Sequence, residues 1–152
     1  MLMNIEERVQ EIVGNVRQNG GGMLSNMLEP EYISCDPAKK QTRIRYKRFK
    51  WEENGRGEVH GGVISAMMDT AMGVTAMAFL DHDVSTADMA ISFIRPFAGR
   101  TFVIESEVIH LGQRIVRVSA RAFDEETGKL LCSGTTNFMP VSYEEHKGIL
   151  GV

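Results

Sequence analysis

Cysteine, basic excess and an export-type leader are all scarce or missing here, and each shortage narrows the field. Among 152 residues there are two cysteines. Cys35 and Cys132 lie far apart and belong to no Cys-x-x-Cys or Cys/His spacing, which argues against a disulfide framework and a zinc knuckle. Two small, buried or half-buried thiols are expected instead. The four histidines, His60, His82, His110 and His146, show no ligand spacing, so no metal is implied. Seventeen Lys and Arg against twenty Asp and Glu leave a net charge of −3. Phosphate recognition normally needs a basic surplus, so no nucleic-acid partner is expected. Met1-Leu2-Met3-Asn4 runs directly into Ile5-Glu6-Glu7-Arg8, without a basic region followed by an apolar stretch. A cytoplasmic protein is the expectation. No internal repeat or low-complexity tract is visible.

What is present is ordinary globular composition, 43% hydrophobic and 24% charged, at the length of one domain. The reading divides 1–152 into an N-terminal helix and loop (1–40), a core (41–140) and a tail (141–152). Asn4 and Glu7 are spaced as a capping box, and Ile5, Val9, Ile12, Val13 and Val16 share one helical face. Gly20-Gly21-Gly22 ends that helix, and with Pro30 and Pro37 the stretch to residue 40 reads as loop with a short helical turn. A strand is predicted from Gln41 to Trp51, with a bulge at Lys47-Arg48. Four more follow: Ala87–Phe97, Thr101–Leu111, Ile115–Phe123 and Leu130–Met139. Short connections at 98–100, 112–114 and 125–128 suggest a meander of hairpins.

Gly61 to Leu80 is the one long apolar run. It is long enough to cross a bilayer, but Asp69 stands in its middle among three glycines, two threonines and a serine. A charge at mid-span is costly in lipid, so no membrane is expected and the segment reads as a helix buried in protein. A helix apolar nearly all round cannot rest on a flat sheet with half its surface in water. The predicted class is therefore α+β, a long central helix wrapped by a curled antiparallel sheet. The sheet edges and rim left over suit a second subunit.

Chemistry concentrates between Asn54 and Asp69. His60-Gly61-Gly62 stands at a loop-to-helix junction, where glycines allow close approach and the first amides lack intrahelical partners. With the positive end of the helix dipole, Gly61 N–H becomes a candidate donor to an oxygen gaining charge in acyl transfer. The alternative is that His60 and Gly61 only cap the helix. Asp69 is the sole charge in the run, and a carboxylate in such surroundings needs a partner or a wet cleft. A carboxylate tied to a backbone amide, or a helix face reaching solvent, is the alternative there. Asp69 comes nine residues after His60, about 13.5 Å at helical rise. One chain cannot close that gap, whereas antiparallel helices of a two-fold dimer can.

Asn54-x-x-Gly57-x-x-His60-Gly61-Gly62, followed by Asp69-Thr70-Ala71, resembles the hotdog-fold acyl-CoA thioesterases of the phenylacetate-pathway (PaaI-like) group. This group lies within the 4-hydroxybenzoyl-CoA thioesterase superfamily. The resemblance runs from about residue 40 to 140 and includes Ile94-Arg95-Pro96 and Gly128-Lys129-Leu130. It implies a homodimer or homotetramer with interface sites, hydrolysing an acyl-CoA thioester without a separate cofactor. Asp69 is implied as general base or nucleophile. Gly61 N–H is implied to hold the thioester oxygen, with Asn54 and His60 orienting the carbonyl. Thr86, with Ser85 as its rival, is implied to bond the base or the attacking water. Gly62, Ser85, Arg95 and Arg114 are implied against the substrate, the arginines toward the coenzyme A phosphates. A hotdog domain that binds acyl-CoA without hydrolysing it is the main alternative, and a hotdog dehydratase or hydratase is another.

Overall fold

The computed structural model describes residues 3–18 and 23–141. The triglycine stop at 20–22 and the tail after Tyr143, with His146, lie outside the described residues. Helix α1 (Ile5–Gln18) starts as its sequence dictates. Asn4 Oδ1 accepts the Glu7 amide at 2.8 Å, and Glu7 Oε2 accepts the Asn4 amide at 3.1 Å. Val9 and Val13 are buried, and Ile5, Ile12 and Val16 pack beside them. A short turn, α2 (Leu24–Met27), follows.

The sheet then begins earlier than the sequence suggested. Strand β1 (Glu31–Asp36) occupies part of the stretch read as loop. It pairs antiparallel with β2 (Gln41–Lys47). All six of its residues are half-buried, so it lacks the alternation that marks a strand, and Pro30 and Pro37 flank it. Its Tyr32 hydroxyl donates to Glu6 of α1 at 2.8 Å. Strand β2 also stops at Lys47 rather than Trp51. A 3-10 turn (Lys50–Glu52) follows, so the slip in apolar phase marks the strand's end and not a bulge.

Helix α3 (Gly61–Leu80) keeps its expected bounds. Asp81 closes it in the left-handed region at φ 62, with its N–H on Met77 O at 2.9 Å. Ile64, Met67, Met68, Ala71, Met72 and Val74 are among its buried residues, spread around the axis. Each fully buried Met or Ile contributes roughly 1.5–3 kcal/mol, which is the driving force for the sheet to curl round the helix.

The remaining strands are β3 (Val84–Phe93), β4 (Thr101–Leu111), β5 (Val116–Asp124) and β6 (Leu130–Pro140). Their order in the six-stranded antiparallel sheet is β1-β2-β4-β5-β6-β3. Only β4, β5 and β6 form the expected meander. The 98–100 connection is not a hairpin, because β3 and β4 are not neighbours. Residues 94–100 instead cross the end of the sheet, and β3 ends at Phe93, four residues before the expected limit. Ile94 and Arg95 amides donate to Leu131 O, and Phe97 O accepts Val59 N–H at 3.1 Å. That crossing packs buried Phe97 on Phe102, with ring centroids 4.8 Å apart. It also leaves β3 as an edge strand beside the N-terminus of α3. Of the two free thiols, Cys132 is buried and Cys35 half-buried, and burial raises both pKa values.

Candidate active site

The start of α3 is built by the loop before it. Asn54 Oδ1 accepts the amides of Arg56 (2.9 Å) and Glu58 (3.3 Å), while Asn54 N–H donates to Glu58 O at 2.7 Å. Gly57 supplies the positive φ of 76 that this tight loop needs. Beneath it, the His60 amide donates to Glu52 O at 2.8 Å. The Glu52 carboxyl is fully buried, with Oε2 accepting Phe49 N–H at 3.0 Å and no partner for Oε1 among the described residues. Burial raises its pKa.

His60 is the N-cap, its Nδ1 accepting the Gly62 amide at 2.9 Å. The capping alternative therefore holds for His60. Gly62 N–H is committed to that bond and is not a second donor to a substrate. A Cβ on Gly62 would stand 3.2 Å from the same nitrogen, which is why glycine suits the position. Gly61 N–H, in contrast, has no partner among the described residues. It opens into a groove of about 310 Å³ lined by Asn54, Val59, Gly61, Ile64, Phe93 and Arg95, among others. Asn54 thus borders the groove, but its carbonyl oxygen is occupied in holding the loop rather than in facing a substrate.

Asp69 is half-buried two turns further along and accepts the Thr86 hydroxyl on Oδ1 at 2.8 Å. Thr86 reaches it from β3 because a bulge at Ala87 interrupts the β3–β6 register. Thr86 pairs with buried Phe138 and so faces the helix. Ser85 pairs with exposed Met139 on the outer face. The hydroxyl on the carboxylate is thus that of Thr86, while Ser85 lies on the other face of the sheet. Arg95 lies at the groove and donates to Leu130 O at 2.7 Å. Arg114 sits in the β4–β5 turn, at the other end of the sheet from Gly61, so one chain does not unite the two arginines.

Two residues near the site do not stand out from the sequence as site residues. Tyr46 points a fully buried hydroxyl, unpartnered among the described residues, into the core. Burial first, and the Asp69 charge second, pushes its pKa well up. Phe93 is 53% exposed, and its ring atoms lie 3.6–4.0 Å from where a Gly61 Cβ would stand. Its β-alternation was legible, but its seat against Gly61 depends on the sheet's curl. A second, larger depression of about 420 Å³ shares no lining residue with this groove.

A long helix enclosed by a single curled antiparallel sheet is the hotdog architecture. Residues 56–131 match the family described as the thioesterase superfamily, half of the chain, and the chain belongs to that superfamily. A protein of Saccharolobus solfataricus provisionally named an esterase is 36% identical over 86 residues, 52% of this chain. That match spans 57% of the relative's own length. A second such protein from the same organism is 29% identical over 104 residues, 68% of this chain and 72% of its own. Among solved structures, the E. coli PaaI protein from the phenylacetic acid degradation operon superposes with a TM-score of 0.77 at 18% identity. The superposition covers 91% of this chain and 97% of that one. Zebra fish thioesterase superfamily member 2 gives 0.76 at 19% identity, over 88% and 96% of the two chains. At such identities these two establish the shared fold.

Proposed function

We propose that this chain is an acyl-CoA thioesterase, hydrolysing a thioester to the free acid and coenzyme A. The observation that carries the reading is a pairing of two half-sites on one helix. An amide unpartnered among the described residues stands at the start of α3, and a hydroxyl-anchored carboxylate stands on its third turn. In the proposed reaction Gly61 N–H donates to the thioester oxygen, aided by the helix dipole, as negative charge builds there. Asp69 either takes the proton from the attacking water or attacks the carbonyl carbon itself. Thr86 holds Asp69 Oδ1 and leaves the second oxygen for this work. His60 fixes the first turn, so that the Gly61 amide keeps its direction. Arg95, and Arg114 of a neighbouring subunit, are the proposed contacts to the coenzyme A phosphates.

Gly61 and Asp69 lie on the same helix, about 12 Å apart at helical rise, too far to act on one carbonyl. The proposed site therefore joins Gly61 of one subunit to Asp69 of another in a two-fold dimer, alone or within a tetramer. Strand β3 supports this, because its outer edge is unpaired among the described residues and eight of its ten residues are exposed. Asp69→Asn keeps the shape and the Thr86 partner but removes the base. It is expected to cut thiol release from acyl-CoA by about 10²–10⁴-fold. Turnover equal to wild type would refute the mechanism, and binding without release by the wild type would favour a non-hydrolysing acyl-CoA binder.

A further inference from the structure

The helix-facing side of β3 links the two half-sites. In the register with β6, Thr86, Met89 and Phe93 stand opposite Phe138, Thr136 and Cys132, all buried beneath α3. Ile91 shares that face and packs on the core. No charged side chain stands on it between Thr86 and Phe93. The strip thus runs from the threonine that anchors Asp69 to the ring that leans on Gly61, and its middle is Met89 and Ile91.

The distances at Gly61 restrict what fits there. An oxygen accepting from the Gly61 amide lies about 2.9 Å from its nitrogen, and the carbonyl carbon one bond beyond. The Phe93 ring approaches the Gly61 Cβ position to 3.6 Å. Gly61 and Phe93 line the same groove, so the ring is the apolar wall nearest a carbonyl held at the Gly61 amide. The sulfur leads to the polyanionic half of the substrate, which is drawn to water and to Arg95 on the groove's exposed rim. The α-carbon takes the other direction, against Phe93.

We propose that Phe93 sets acyl specificity, acting as a wall beside the α-carbon that admits unbranched acyl groups and rejects α-branched ones. This rests on the thioesterase reading above. The test compares kcat/KM for butyryl-CoA and isobutyryl-CoA, which have equal carbon counts, in wild type, Phe93→Leu and Phe93→Ala. Wild type is expected to favour the straight chain by about tenfold or more, the scale of one misplaced methyl group in a tight apolar pocket. The preference is expected to narrow in the Leu variant and to fall within about twofold in the Ala variant. Inhibition by free coenzyme A is expected to stay unchanged, since that half lies on the other side of the carbonyl. If Phe93→Ala disturbs assembly, seen by gel filtration, the Leu variant carries the comparison. A selectivity ratio identical in all three, alongside an inactive Asp69→Asn, would overturn this proposal alone. No thiol release from any acyl-CoA by the wild type would overturn both it and the thioesterase reading.

Discussion

Replacing Thr86 by valine removes one hydroxyl and little else: the side chain stays β-branched and the strand keeps its propensity. The bond lost is the 2.8 Å contact to Asp69 Oδ1. Hydrogen bonds to a charged group are worth about 1.5–3 kcal/mol net, which corresponds to roughly tenfold to a hundredfold in rate. Thr86 is exposed in the single chain, so water can replace the hydroxyl in part. The lower end applies, about a tenfold fall in kcat. KM should change little, because the hydroxyl orients the carboxylate rather than the substrate. Thr86→Ser keeps the donor and should recover most of the rate. Steady-state thiol release with both variants decides the matter. Wild-type kcat in Thr86→Val would show the hydroxyl idle, and equal losses in Val and Ser would assign the effect to packing of β3.

Other perturbations test the frame around the site. Glu52 has its pKa raised, chiefly by burial, against the lowering effects of the Phe49 amide and Arg48. Its neutral form is therefore favoured in the folded state. The stability it contributes is full below the unfolded value of 4.5 and is lost as pH rises through the folded pKa. Glu52→Gln does not titrate, so Tm measured from pH 4.5 to 8 should shift progressively in the variant's favour, by about 1.4 kcal/mol per unit of raised pKa. A constant difference across that range would refute the buried-acid assignment. Gly134→Ala would bring a Cβ to 2.9 Å from the Ala90 carbonyl oxygen, and backbone cannot step aside cheaply. It should cost about 1–3 kcal/mol in urea unfolding and loosen β3 from β6. Gly73→Ala meets only Phe138, at 3.7 Å, and should stabilise α3 by about 0.5–1 kcal/mol.

The legible parts of the fold are those with local causes. Helix α3 was bounded to the residue, since an all-round apolar run between Gly61 and Asp81 leaves little choice. The Asn4–Glu7 box and the β4–β5 and β5–β6 turns are likewise short-range. Strand β1 was hidden because its residues are half-buried throughout, and its flanking prolines argue for loop. The order of β3 was hidden because its partner, β6, lies some forty residues away in sequence. In the site, Asp69 stood out as a charge without company, and His60-Gly61 as a helix start. Choosing Thr86 over Ser85 required the Ala87 bulge, which is a property of paired strands. The resemblance implies that Asn54 orients the carbonyl, and the structure shows its oxygen holding the loop that borders the groove. Phe93 closes an ordinary strand run, and only the curl of the sheet brings it against Gly61.

The claim that two subunits share one site is tested most directly by mixing two inactive variants. Gly61→Pro removes the donor, yet proline is tolerated at the first helical position, and His60 at φ −61, ψ 136 already has the backbone that precedes proline. In a dimer of one Asp69→Asn and one Gly61→Pro subunit, one site carries both defects and the other carries none. Random mixing at equal amounts, after co-refolding, should restore about a quarter of wild-type thioester hydrolysis. Activity no higher than that of either variant alone would place Gly61 and Asp69 outside a common site and contradict the account.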